Sequence, residues 1–354
     1  MSGPRSGRDL GRRLARSGRA LALGMASGLV LAGCAGTFQP MGDPMGAPAV
    51  TDGAYRAADG VELSMRSWLP EGKPEAVVLA LHGFNDYSNA FDAPARHFAE
   101  NGIATYAYDQ RGFGANGRPG IWATADTLIA DLYGAVSALR REHPGVPLHV
   151  LGESMGGAVV LAAMAEPPPD GYPPLATQVA GAILSAPAVW DYDSMSAIQR
   201  AALWITSRTV PWLTLTAPPE LRIVPSDNIE MLRALGRDPL VIKRTRTDAI
   251  AGLTALMTRA QNAVPQAAEV PMLVMYGRNE QVIPAKPIDR ALAALPDRHT
   301  VAVYEKGYHM LLRDLNARTV WEDVVAWLAR PGEPLPSGAD RVPWRDEARR
   351  AEAD

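Results

Sequence analysis

Short, unbroken apolar runs return along this chain with longer helix-like stretches between them, and that alternation narrows the fold more than any other feature. Ala76–Leu81 (Ala-Val-Val-Leu-Ala-Leu) is the clearest run; Ile103–Tyr108, Pro147–Leu151, Ala180–Ser185, Pro271–Tyr276 and Val301–Tyr304 repeat it, while Val61–Trp68 alternates apolar with polar. A strand with no polar face has to be covered on both sides. Helix periodicity falls between the runs, at Ala90–Asn101, Thr124–Glu142, Met155–Ala165, Ile288–Leu295 and Thr319–Ala329. Strand and helix in turn imply right-handed crossovers and an α/β fold with a doubly wound, mostly parallel sheet.

One interval breaks the rhythm. About 80 residues separate Pro187 from Pro271, far more than a crossover needs. They include a helical run Ala197–Arg208 carrying Trp204 and Ile205, then Val210-Pro-Trp-Leu-Thr-Leu, then a second helical run Ala249–Asn262. The expectation is a helical cap over residues 191–268, inserted between core segments 53–190 and 269–330. It would lie over the carboxyl edge of the sheet, where open α/β sheets bind ligands.

The amino terminus reads differently. Six Lys/Arg and one acid, Asp9, fall in the first 19 residues, and residues 20–33 are an apolar run of 14, too short to span a bilayer. Basic region, short apolar core and small-residue exit describe a secretory signal over residues 1–33. Leu31-Ala32-Gly33-Cys34 resembles a bacterial lipobox, and Cys34 is the only cysteine in the chain. The expected product is a lipoprotein acylated on Cys34, held on a membrane of the bacterial envelope and facing the periplasm. Residues 34–52, rich in Gly, Pro and Ala, are expected to be anchor and tether, and residues 331–354 a charged, solvated tail.

Composition removes several functions. With 47% hydrophobic and 21% charged residues the chain is neither disordered, collagenous nor a coiled coil. Beyond residue 33 it carries 29 basic and 37 acidic residues, so nucleic acid is not an expected partner. One cysteine permits no intramolecular disulfide. No phosphate-cradling glycine loop, no His-Glu-x-x-His and no acidic calcium loop occurs, so neither cofactor nor metal is expected.

Leu148-His-Val-Leu-Gly152-Glu153-Ser154-Met155-Gly156-Gly157 sets Gly-x-Ser-x-Gly after an apolar run and before a helix. A serine on so tight a strand-to-helix turn needs small neighbours, and its hydroxyl emerges at the positive end of the helix. Serine is a poor nucleophile without a base, and the base needs an orienting acid. Of six histidines (His82, His97, His143, His149, His299 and His309), only His309 follows the last strand in a loop that reaches the same edge as Ser154. Glu280 is the first carboxylate beyond the preceding strand end and lies 29 residues before His309; Asp191 and Asp193 are rival acids. Two backbone N–H groups should receive the developing oxyanion: Met155, after the nucleophile, and Phe84, in the loop Leu81-His82-Gly83-Phe84-Asn85-Asp86. His82 then reads as a brace for that loop.

These pieces together resemble an α/β-hydrolase, and more narrowly the monoglyceride lipase and lysophospholipase branch that also holds serine aminopeptidases. The carriers are His82-Gly83-Phe84, Tyr108-Asp109-Gln110-Arg111-Gly112-Phe113-Gly114, Gly152 to Gly157, Gly277-Arg-Asn-Glu280 with Pro284, and Tyr308-His309-Met310-Leu311, across residues 55–330. The resemblance implies Ser154 as nucleophile, Glu280 as acid, His309 as base, and Phe84 and Met155 as oxyanion donors. Two departures stand out: Glu280 replaces the usual aspartate, and Asn85-Asp86-Tyr87-Ser88 replaces the usual Gly-Glu-His-Ser. The expected function is a membrane-tethered serine hydrolase acting on lipidic esters such as monoacylglycerol or lysophospholipid. The alternatives are a serine aminopeptidase, with Glu220, Asp227, Glu230 and Asp238 gripping a substrate amine, and a non-catalytic binding module. Oligomeric state is not readable.

Overall fold

The computed structural model describes residues 36–216, 222–266 and 270–344. Nine strands form one sheet in the order β1-β2-β3-β5-β4-β6-β7-β10-β11. β1 (Ala49–Thr51), β2 (Ala54–Arg56) and β3 (Glu62–Trp68) form an antiparallel edge, and β3 runs antiparallel to β5 (Ile103–Tyr108). From β5 onward the sheet is parallel through β4 (Ala76–Leu81), β6 (Leu148–Glu153), β7 (Gly181–Ser185), β10 (Met272–Gly277) and β11 (Thr300–Tyr304). This is the doubly wound sheet expected. Pro147 and Pro271 stay outside their strands because they lack an N–H, yet their carbonyls accept from Val77 and Ala182.

Burial alternates along β4: Val77, Leu79 and Leu81 join one core cluster, while Ala76, Val78 and Ala80 join the other. The second cluster is closed by α1 (Asp92–Glu100) and α8 (Ala317–Ala329), through Phe98, Val324 and Trp327. The first is closed by α2 (Ala125–Glu142), α3 (Met155–Ala165), α6 (Thr247–Ala263) and α7 (Ala285–Ala294). Thr124 caps α2 by accepting the Thr127 N–H at 3.2 Å, and Pro144 follows where the helix stops. α7 begins three residues before its sequence reading, because Pro287 sits in the first turn, where a missing N–H costs nothing.

The insertion holds α4 (Ala197–Thr209), with a Ser196–Gln199 capping box, and α5 (Ile229–Arg237). A two-stranded ribbon joins β8 (Thr214–Leu215) to β9 (Thr245–Arg246). α6, expected inside the cap, instead packs into the core layer, since Leu256, Met257, Ala260 and Ala263 present one apolar face to it.

Two end segments also differ from expectation. Residues 36–48, expected to be tether, lie along the body: Gln39 N donates to Trp122 O at 2.8 Å, its Nε2 to Ile121 O at 2.6 Å, and Gly42 N to Asp59 Oδ2 at 3.0 Å. Low charge there serves contact rather than flexibility. Residues 331–344 are likewise packed, with Leu335 and Ala339 buried and Trp344 Nε1 donating to Asp289 Oδ1 at 2.8 Å. Arg345 to Asp354, and the signal and Cys34, lie outside the described residues.

Candidate active site

β6 runs to Glu153, and the next residue turns into α3 with φ 51° and ψ −112°, a left-handed conformation that Ser154 holds against its side-chain preference. Backbone bonds over-determine it: Ser154 N donates to Ser185 O at 2.9 Å, and Ser154 O accepts from Ala158 N at 3.0 Å and Ala188 N at 2.9 Å. The flanking glycines are obligatory for space. A Cβ at Gly152 would overlap the Gly157 backbone nitrogen, and one at Gly156 the Leu81 carbonyl.

Past β11, His309 Nδ1 lies 2.7 Å from Glu280 Oε2, with both side chains nearly buried. A carboxylate only accepts, so Nδ1 carries the proton and Nε2 is left as an acceptor. Burial pushes the Glu280 carboxyl up, but the bond and charge of His309, with N–H donation from Ile283 and Val282 to Oε1, more than reverse this and hold it below its ordinary value. Glu280 is therefore ionised at neutral pH. The rival acids are elsewhere: Asp191 accepts from Ser194 and pairs with Arg290 at 2.7 Å, and Asp193 is exposed.

The loop after β4 abuts Ser154, where a Cβ on Gly83 would stand 3.4 Å from that of the serine. His82 is buried, with Nε2 accepting from Gln110 N at 2.9 Å and Nδ1 donating to Gly83 O at 2.8 Å. Because a trans peptide sets C=O and N–H in opposite directions, this bond turns the Phe84 N–H away from His82. The Phe84 ring is held edge-on by Phe113 and Trp122, at 5.7 and 6.0 Å. Met155 opens α3, so its N–H is among the first-turn donors with no intrahelical partner. Ser154, His309, Gly83 and Phe84 all line one cavity of about 320 Å³, walled largely by apolar groups including Trp190, Leu253, Met257, Ile283 and Met310.

Three charged residues in the wall were not singled out from sequence. Arg313, with 9% of its side chain exposed, bridges Asp86 Oδ2 at 2.7 Å and Glu153 Oε1 at 2.9 Å. One guanidinium thus joins the loop after His309, the residue before Ser154, and the residue two past Phe84. The next residue, Asp314, accepts from Tyr308 N at 2.7 Å and Ser226 Oγ at 2.6 Å. Glu153, following Val150-Leu151-Gly152 at the end of buried β6, was the available signal, since a buried carboxylate there needs a cation.

The cap carboxylates face elsewhere. Asp227 accepts from Leu315 N and Asp238 from Tyr87 Oη; neither these nor Glu230 lines the cavity, and Glu220 lies outside the described residues. Among the described residues no group of His, Cys, Asp and Glu could hold a metal ion.

Comparison with known proteins agrees with this architecture. The family described as "Serine aminopeptidase, S33" matches residues 72–316. A monoacylglycerol lipase of Mycolicibacterium smegmatis is 27% identical over 290 residues, covering 78% of this chain and 95% of that protein. The human monoglyceride lipase is 26% identical, with 77% and 88% covered. Among solved structures, a soluble variant of the Saccharomyces cerevisiae monoglyceride lipase in complex with a substrate analogue superposes with a TM-score of 0.63 at 20% identity, over 80% of this chain and 94% of that one. The Paleococcus ferrophilus monoacylglycerol lipase gives 0.61 at 21% identity, over 76% and 98%; both show the shared fold.

Proposed function

The chain belongs to the serine aminopeptidase, S33, family of α/β-hydrolases and is a carboxylic-ester hydrolase, and we propose that it cleaves lipidic esters of the monoacylglycerol or lysophospholipid type through an acyl-enzyme. The observation that carries this reading is the 2.7 Å Glu280–His309 pair set with Ser154 around a mainly apolar cavity.

His309 Nε2 takes the Ser154 Oγ proton as the oxygen attacks the ester carbonyl carbon. Negative charge gathers on the former carbonyl oxygen, where the Phe84 and Met155 N–H groups receive it. Collapse breaks the bond to the alcohol oxygen, which takes the proton from His309 and leaves. Water then gives a proton to His309 and attacks the acyl carbon; the carboxylic acid departs and the serine hydroxyl is restored. Glu280 stays ionised throughout and stabilises the imidazolium.

An amine-gripping aminopeptidase is less well supported, because the cavity's two acidic side chains, Asp86 and Glu153, are both engaged by Arg313. The proposal extends to attachment through acylated Cys34 in the bacterial envelope, facing the periplasm, which rests on the lipobox-like Leu31 to Cys34. The test is hydrolysis of p-nitrophenyl esters from acetyl to palmitoyl, and of monoacylglycerol, by the detergent-solubilised chain with Ser154→Ala as control. Turnover lost in the control with an optimum at medium or long acyl chains is expected. Equal rates with and without the serine hydroxyl would refute the reading.

A further inference from the structure

The loop after β4 is held from two sides. Gly83 O, on the same peptide unit as the Phe84 N–H, accepts from His82 Nδ1 at 2.8 Å and from Asp86 N at 3.3 Å. The second bond closes a four-residue turn over Gly83 to Asp86, with Phe84 and Asn85 at its centre. Asn85 has φ 65°, a left-handed conformation that most side chains disfavour and asparagine tolerates. Were Asn85 to relax to negative φ, the turn would open and the peptide plane carrying the Phe84 N–H would swing with it.

What keeps Asn85 there comes from the insertion. Its carbonyl accepts from Ile242 N at 2.9 Å, and its Nδ2 donates to Thr245 Oγ1 at 2.7 Å. Two residues on, the nearly buried Tyr87 donates from Oη to Asp238 Oδ2 at 2.7 Å. Asp238 ends α5, its N–H bonding Ala234 O, and Thr245 pairs with Leu215 across the ribbon. The stretch 238–245 thus returns onto residues 85–87, and its two side-chain bonds join residues 151 and 160 positions apart. Asn85 and Tyr87 are both positions where the chain departs from the usual Gly-Glu-His-Ser. A glycine would take the same φ freely but offers no amide to Thr245.

We propose that Asn85 is a positioning residue for the oxyanion donor: through its side chain and carbonyl, the segment 238–245 fixes the direction of the Phe84 N–H. The inference rests on the proposed hydrolysis, in which that N–H receives the charge of the tetrahedral intermediate. Acylation and deacylation both pass through such an oxyanion, so alignment of the donor governs kcat whichever step is slower. Because both steps slow together when it is misaligned, KM changes little. The N–H is still present when the Thr245 bond is cut, so the loss is smaller than the roughly hundred- to thousand-fold that deleting a donor costs.

The test is steady-state kinetics of the detergent-solubilised full chain on a p-nitrophenyl ester, with circular dichroism to confirm that each variant folds. Thr245→Val keeps the shape and removes the acceptor; Asn85→Gly keeps the backbone conformation accessible and removes the donor. Each should lower kcat by about tenfold while KM stays within about twofold. The double variant should be no slower than Asn85→Gly, because the bond is already gone, and Thr245→Ser, which keeps the hydroxyl, should retain the wild-type kcat. A loss confined to KM, kcat effects that multiply in the double variant, or a Thr245→Ser as slow as Thr245→Val overturns the proposal. So does an unchanged kcat in Thr245→Val and Asn85→Gly while wild-type turnover depends on Ser154, and that result leaves the esterase reading standing. Wild-type turnover no faster than Ser154→Ala overturns the esterase reading and this inference with it.

Discussion

Replacing Arg313 by methionine removes the cation between two carboxylates. Asp86 keeps a bond from the Tyr87 N–H at 2.9 Å through Oδ1, but Arg313 bonds Glu153 through Oε1, Oε2 has no hydrogen-bond partner, and that side chain is 2% exposed. A buried carboxylate left without its cation is costly, and deleting one partner of a buried ion pair costs about 3–5 kcal/mol. Urea unfolding of wild type and Arg313→Met should show a deficit of that size, and adding Glu153→Gln should recover much of it. A deficit untouched by Glu153→Gln would show that Arg313 contributes packing rather than charge compensation.

In the proposed mechanism the Glu280 charge stabilises the imidazolium, so Glu280→Gln, which keeps the shape and loses the charge, should lower kcat by about ten-thousand-fold, read on a p-nitrophenyl ester. Because the Glu280 carboxyl sits below its ordinary 4.5, wild type loses this group's stabilisation as pH falls through that region, and Glu280→Gln should lack that loss in unfolding scans. His149, buried on β6 edge-on to Trp327 at 6.1 Å, has its pKa pushed down to about 4 by burial. Its folded state resists the proton that the unfolded chain accepts below about 6.5, so stability falls between pH 6.5 and 4 by up to about 3 kcal/mol. His149→Leu should flatten that part of the stability profile; an unchanged slope in urea unfolding would remove His149 as its source.

Local chemistry made much of this protein readable from its residues alone. Continuous apolar runs cannot have a wet face, so β4, β5, β6, β7, β10 and β11 had to lie in a covered sheet. Ser154 between glycines at 152 and 156 could occupy only a tight turn, and His309 was the one histidine in a loop at the right end of a strand. Glu280 needed a further inference, since nothing local separates it from Asp191. Only the folded chain separates them: one accepts from His309 and the other pairs with Arg290.

What tertiary structure alone decided involves partners far apart in sequence. Arg313 and Glu153 are 160 positions apart, and no local pattern couples them. The Gly- and Pro-rich residues 36–48 have the composition of a linker, but composition reports charge and backbone freedom, not whether a groove beside Trp122 and Asp59 exists to receive them. α6 has the periodicity of any amphipathic helix; which layer receives its apolar face depends on α3 standing beside it. Apolar residues on α4 read as core by the same rule, and only the absence of a layer above them, among the described residues, turns that face outward. Residue identity sets what each segment must bury or bond; the fold sets which distant group answers it.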